Sequence, residues 1–250
     1  MTLRRRDFLW AGVVLGAVFG GPPLWRRMFP SFDFVPLDGF PGFRKLDQGP
    51  VSSGPIAFLG LERSDDDLRA EQARIMAAPC QSIFGPPDNE DSRTPVAVFT
   101  DYNCPYCRIL TEQLITLAES GVPIRLIWYE LPLLGPRSER SAKAALAADI
   151  QGKYIAAHRY LMRRVLPPGP VGFRRMARDL DLDAVQLAYD AGSNTVAERL
   201  SKAQALAGVL GVIGTPTTLI GKTMVVGSIE NSDLDNLIAL ERSLPAAYCD

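Results

Sequence analysis

Apolar and polar positions alternate along this chain in blocks whose periods change from strand-like to helical and back. The clearest block begins at Thr94. Pro95-Val96-Ala97-Val98-Phe99-Thr100 is a short, nearly continuous apolar run, as expected of a strand buried on both faces. Ile109, Leu110, Leu114, Ile115 and Leu117 follow at helical spacing, and residues 122–129 read as a second strand. Strand, helix and strand in this order make a βαβ unit. Residues 138–208 read as helical throughout: 141–150, 153–165, then a break at Pro167-Pro168-Gly169-Pro170, then 173–180 and 183–208. After Gly211 the strand pattern returns as 217–220 and 224–226 around a Gly221-Lys222 turn, a hairpin. Residues 234–244 close the pattern with a helix. The order is β-α-β, a helical block, then β-β-α. That is a thioredoxin fold, an α/β architecture, with helices inserted after the second strand.

Upstream the pattern is less regular. Residues 30–62 mix Pro and Gly with Phe32, Phe34, Phe40, Phe43 and Phe58. That is too apolar for a flexible linker, and it predicts small strands or extended segments packed on the main domain or on a second subunit. Ser64 and Asp65-Asp66-Asp67 supply an N-cap and first-turn acids for a helix to about residue 78. The aspartates read as dipole partners rather than a metal site. Pro79 is expected to stop that helix just before Cys80, and the polar loop 85–91 marks a boundary.

The N-terminus carries a different signal. Arg4, Arg5 and Arg6 precede an apolar run from Phe8 to about Gly20, the layout of a signal peptide. Arg5-Arg6-Asp7-Phe8-Leu9 resembles a twin-arginine export signal. A short buried helix would not begin with three arginines. No Ala-x-Ala cleavage site follows, and the apolar stretch to Trp25 approaches the roughly 20 residues of a membrane span, so an uncleaved anchor is the alternative. In either case the remainder is expected in the periplasm or on the outer face of the membrane, where disulfides persist. The expected organisation is a signal peptide or anchor at 1–29, an extension at 30–93, and a thioredoxin-type domain at 94–250 with its helical insertion at about 138–208. With 250 residues and 47% hydrophobic content the chain can bury a sizeable core, and its net charge of −1 gives no basic surplus for nucleic acid.

Four cysteines, Cys80, Cys104, Cys107 and Cys249, are too few for a disulfide scaffold in a chain of this length. Cys104-Pro105-Tyr106-Cys107 stands between a strand and a helix. Unpaired N–H groups and the positive dipole end at a helix N-terminus stabilise a thiolate, so Cys104 is the expected attacking sulfur. Cys107 lies one turn on, placed to resolve a mixed disulfide. Pro105 suits the first helical position. Structural zinc would need four ligands, and the chain has one histidine and no second close Cys pair. Thr215-Pro216, entering the hairpin, is a candidate cis peptide whose backbone would face the cysteines and pair with an extended substrate. Thr215 and Pro216, with Pro105 and Tyr106, are therefore the substrate-binding candidates. Cys80 and Cys249 flank the catalytic domain and are candidates for a structural disulfide, an intermolecular bridge or free thiols. His158, among Tyr154, Ile155 and Leu161, reads as structural or superficial, and Trp128 and Tyr129 as core.

Residues 99–107, 131–136 and 211–217 together resemble the DsbA-type thiol–disulfide oxidoreductases, and the resemblance extends over about 94–244. It implies that Cys104 is the nucleophile, Cys107 the resolving thiol and Thr215-Pro216 the cis-proline loop. It also implies exchange with exported proteins bearing thiols or disulfides, in the oxidising direction, with a membrane redox partner to reset the centre. No cofactor and no metal are implied. A reductase or isomerase of the same fold is the first alternative, and the extension would then serve a homodimer. A non-catalytic peptide-binding chaperone is the second. Two positions depart from the pattern. Val98 stands where many relatives carry a buried acid, with Asp101 nearer the helix, and Tyr106 stands where many oxidising members have histidine, which predicts a less oxidising centre. The tetrapeptide also resembles glutaredoxins, but the export signal and helical insertion do not fit them.

Overall fold

A computed structural model describes residues 32–47, 49–54, 65–86 and 91–244. The expected signal peptide or anchor at 1–29 lies outside the described residues, as does Cys249. In chain order the elements are β1 (Val35–Pro36), β2 (Arg44–Asp47), α1 (Asp65–Ala77), α2 (Pro79–Phe84), β3 (Thr94–Thr100), α3 (Pro105–Glu119) and β4 (Ile124–Glu130). There follow α4 (Pro136–Ile150), α5 (Tyr154–Arg163), α6 (Pro170–Leu180), α7 (Ala184–Asp190), α8 (Asn194–Val209), β5 (Thr217–Ile220), β6 (Thr223–Val226) and α9 (Asn231–Ser243). The strands form one mixed sheet in the order β1-β2-β6-β5-β3-β4. β3 runs parallel to β4 and antiparallel to β5, and β5 and β6 are the expected hairpin. This is the thioredoxin-like fold, with α4 to α8 between its second and third core strands.

The period-2 rule explains the apolar run in β3. Val96 and Val98 point to one face, against Leu110 and Leu114 of α3 and Leu234, Leu237 and Ile238 of α9. Ala97 and Phe99 point to the other, against Phe40, Phe43, Ile75, Ile83 and Leu206. Both faces are covered, so the strand tolerates no polar alternation. A third core lies within the helical block and reaches Tyr102, Cys104 and Cys107.

The extension is part of this architecture. β2 adds to β6 in parallel register, Arg44 opposite Thr223 and Asp47 opposite Val226. Arg44 donates through Nε to Thr223 Oγ1 and through Nη2 to Glu241 Oε1, each at 2.7 Å. Glu241 is fully buried and also accepts from the Thr223 hydroxyl and the Lys222 amide. A buried carboxylate needs such partners, so the extension and the sheet are tied at this point.

Several helix boundaries differ from the sequence reading, and two of the differences have a clear local cause. Pro79 does not simply stop a helix; it opens α2 at the first position, where its missing N–H costs no hydrogen bond. Residues 183–208 form two helices, because Ser193 caps α8 by accepting from the Val196 amide at 3.3 Å. Apolar periodicity does not record a break whose two sides face the same core.

Candidate active site

Cys104 is the N-cap of α3. It adopts an extended backbone, and its sulfur accepts from the Cys107 amide at 3.3 Å. Pro105 follows as the first helical residue and is exposed, whereas Tyr106 is half-buried against the helical core. Both cysteines are reduced, and each is only 1% exposed. The two sulfurs have opposite proton affinities. The Cys107 thiol donates to Cys104, and this bond, with smaller help from Ser52, the Cys107 amide and Thr215, lowers the Cys104 pKa from 9.0 to about 6 against the opposing effect of burial. Burial and the neighbouring Cys104 charge push the Cys107 thiol well up. One sulfur is poised as a thiolate and the other as its proton donor.

The sequence candidates at 215 and 216 are brought to this point. The Thr215–Pro216 bond is cis. The Thr215 carbonyl accepts from the Cys104 thiol at 3.2 Å. Cys80 takes part in a disulfide and packs at the edge of the core that holds Phe99. The suggested partner, Cys249, lies outside the described residues.

Asp101 holds the loop in front of the cysteines. Its carboxylate is buried and accepts from the Asn103 amide at 2.7 Å, the Leu134 amide at 2.9 Å and the Ser138 hydroxyl at 2.6 Å. It therefore joins the start of α3 to the β4–α4 loop and to α4. Burial raises its pKa and these donors oppose the rise.

A second polar cluster, which no sequence motif announced, lies behind Tyr102. The phenols of Tyr102 and Tyr154 each donate to Glu130 Oε1 at 2.6 Å. Each phenol has one proton, so His158 Nδ1, 2.8 Å from the Tyr102 oxygen and 3.3 Å from that of Tyr154, must carry its own. His158 Nε2 lies 3.1 Å from the hydroxyl of Thr111, one turn beyond Cys107. Burial, then the Glu130 carboxylate, push both phenols well up. This cluster fixes Tyr102 from three elements, and the fully buried His158 is structural. No local pattern marks it, because its members come from a loop, two helices and a strand end. A cavity of about 210 Å³ beside Tyr102 and Asn103 is rimmed by Arg108, Arg137, Arg163 and Arg164.

Ser52 is the other residue that the sequence reading missed. It lies in the extension, in Gly49-Pro50-Val51-Ser52-Ser53-Gly54, and pairs with Thr215 as an isolated antiparallel bridge. A run of small and proline residues carries no period that could announce this.

Comparison with known proteins agrees with the geometry. The family model of the DSBA-like thioredoxin domain matches residues 95–239. A thioredoxin-like oxidoreductase of Silicibacter pomeroyi is 35% identical, with a TM-score of 0.60, over 66% of this chain and 98% of that one. The thiol-disulfide exchange protein alpha-DsbA2 of Wolbachia pipientis shares the fold at 22% identity and a TM-score of 0.59, over 71% of this chain and 99% of that one. Similarity also extends to the Na(+)/H(+) antiporter NhaA 3 of Salinispora tropica, 29% identical over 164 residues, 60% of this chain. The chain spans about a quarter of the length of the curated relatives it matches, the matched region being 25% of each.

Proposed function

Because the chain belongs to the DSBA-like thioredoxin domain family, we propose that it exchanges disulfides with exported proteins through Cys104 and Cys107. The observation that carries this reading is the opposed pair of sulfurs at the N-terminus of α3, one pulled down to about 6 and one pushed up. In the oxidising direction a substrate thiolate attacks Cys104 of the Cys104–Cys107 disulfide. A new S–S bond forms, and Cys107 leaves with the electron pair and takes up a proton. A second substrate thiolate then attacks the substrate sulfur, and Cys104 leaves as the thiolate that its hydrogen bonds stabilise. The substrate loses two electrons, the centre gains them, and a membrane redox partner removes them.

Thr215 and Pro216, with Pro105 and Tyr106 at the rim, form the substrate-binding part of this proposal. The Arg4-Arg5-Arg6 signal supports export to the periplasm or the outer membrane face, by cleavage or by anchoring. Among the described residues no helix is long and apolar enough to cross a membrane. The staple between Cys80 and Cys249 belongs to the proposal as well.

The test is the reduction potential against glutathione together with the ultraviolet titration of the thiolate. A potential near about −120 mV supports the oxidising direction, and one near about −200 mV or below supports the reductase or isomerase. Absence of any equilibrium overturns both. The thiolate is expected to titrate with a midpoint of about 6, a transition lost in Cys104→Ser. The sign of the linked stability follows. The folded value lies below the ordinary 9.0, so the ionised sulfur stabilises the reduced form fully above about 9, and that contribution is lost as pH falls through about 6. Reduced protein should accordingly gain thermal stability relative to oxidised protein as pH rises between these values.

A further inference from the structure

We propose that residues 49–54 are an intramolecular strap that occupies the strand position of the substrate, so that a polypeptide must displace Ser52 before it can pair with Thr215 and reach Cys104. This inference rests on the exchange reading above and concerns what regulates access to the same site.

The hydrogen bonding is that of an added strand. Ser52 N–H donates to the Thr215 carbonyl at 2.8 Å, and Thr215 N–H donates to the Ser52 carbonyl at 2.9 Å. These are the two backbone groups through which an extended peptide would be held by strand addition, and both are filled from within the chain. The strap is anchored on either side. The Pro50 carbonyl accepts from the Ser228 amide at 3.2 Å. A Cβ at Gly49 would run into the Ser228 carbonyl, and one at Gly54 into the Leu133 carbonyl, so both glycines allow close backbone approach. Gly214, next to Thr215, is similarly tight, since a Cβ there would lie 2.8 Å from the Ser52 carbonyl. The strap therefore runs from the β6 end, past the cis-proline loop, to the β4–α4 loop.

Burial gives a second, independent observation. A sulfur that must be reached by another sulfur along the S–S axis is here only 1% exposed. Pro105, immediately after it, is exposed. Access is thus closed at the sulfur itself. A strap held by two backbone hydrogen bonds to Thr215 is a low-stability unit, of the kind that opens locally without unfolding the domain. A polypeptide can replace those bonds with its own and gain the site. A small thiol cannot replace them and depends on spontaneous opening. The strap therefore discriminates in favour of extended polypeptide substrates.

The experiment uses the full chain with Cys107→Ser. A short extended peptide with one cysteine activated as its thionitrobenzoate disulfide is added. The Cys104 thiolate attacks the peptide sulfur, thionitrobenzoate leaves as the thiolate, and the mixed disulfide remains. Amide hydrogen exchange is read at Ser52 and Thr215 before and after. The expected result is Ser52 exchange faster by about ten-fold or more, the scale of one to two lost backbone hydrogen bonds, with Thr215 still protected by the peptide. A formed adduct in which Ser52 keeps its original protection overturns the strap and leaves the exchange reading intact. Failure of the wild-type cysteines to equilibrate with glutathione overturns both. A second variant, Gly54→Ala, pushes the strap away from Leu133 and is expected to speed glutathione exchange more than peptide exchange, lowering the peptide-to-glutathione rate ratio, because the small thiol is the one that waits for spontaneous opening. An unchanged ratio in the folded variant also counts against the strap.

Discussion

Cys104→Ser is expected to abolish disulfide exchange, lowering the rate with a dithiol peptide by roughly 10⁴-fold or more, whereas Cys107→Ser is expected to stall at a mixed disulfide. The two variants separate because the two sulfurs are not equivalent. Cys104 caps α3 and accepts from both the Cys107 thiol and the Cys107 amide, so it carries the negative charge. Cys107 lies inside the helix and is held protonated by burial. Serine at 104 keeps the cap but has no accessible anion at neutral pH, and the first S–S bond never forms. Serine at 107 leaves the attacking sulfur in place but removes the group that would resolve the adduct. The serine hydroxyl can still donate to Cys104, whereas Cys107→Ala removes the strongest donor, so in the alanine variant the thiolate midpoint should move up from about 6. Quenched-flow exchange with mass detection of the adduct checks both. Equal residual rates in the two variants would contradict the assignment of roles.

The second large effect is expected at Asp101. Replacing it with alanine leaves the Asn103 amide, the Leu134 amide and the Ser138 hydroxyl without their common acceptor, in a place where water does not reach the carboxylate. Each buried donor left unsatisfied costs about 1–3 kcal/mol, so Asp101→Ala should lose about 3 kcal/mol or more of unfolding free energy. Asp101→Asn retains one acceptor oxygen and should lose less. The asparagine variant also carries a pH signature. Burial raises the Asp101 pKa above its ordinary 3.8. A raised carboxyl favours the fold fully below its unfolded value and loses that contribution as pH rises through its folded value. Asparagine does not titrate, so this slope should vanish from its stability profile. Urea unfolding across mildly acidic pH measures both quantities. A neutral Asp101→Ala would mean that the loop before Cys104 is held by something other than this carboxylate.

These two residues differ in how they could be known. Cys104 and Cys107 are three positions apart, and their spacing on a helix start is chemistry written locally. The strand at 94–100, the helix that follows it and the hairpin after Thr215 are equally local, since a buried strand and an amphipathic helix each impose a period on a short stretch. The family resemblance drew on the same local motifs. For Asp101 the sequence supplied a nearby carboxylate and nothing about its three donors, which come from 33 and 37 residues further along as well as from Asn103.

By itself, then, the amino-acid sequence indicated the βαβ unit, the helical block, the closing hairpin and helix, and the candidate Cys104–Cys107 pair, because each rests on a period or a spacing within a short stretch. Only the tertiary structure decided that the extension would add β2 to the sheet, that Glu130, Tyr102, Tyr154 and His158 would share one buried cluster, and that Ser52 would cover Thr215. Those contacts join residues far apart in the chain. Ser52 and Thr215 pair through backbone groups that every residue but proline possesses in full, and such a pairing leaves no mark in side-chain chemistry. It is set by where the sheet, the cis-proline loop and the β4–α4 loop come together.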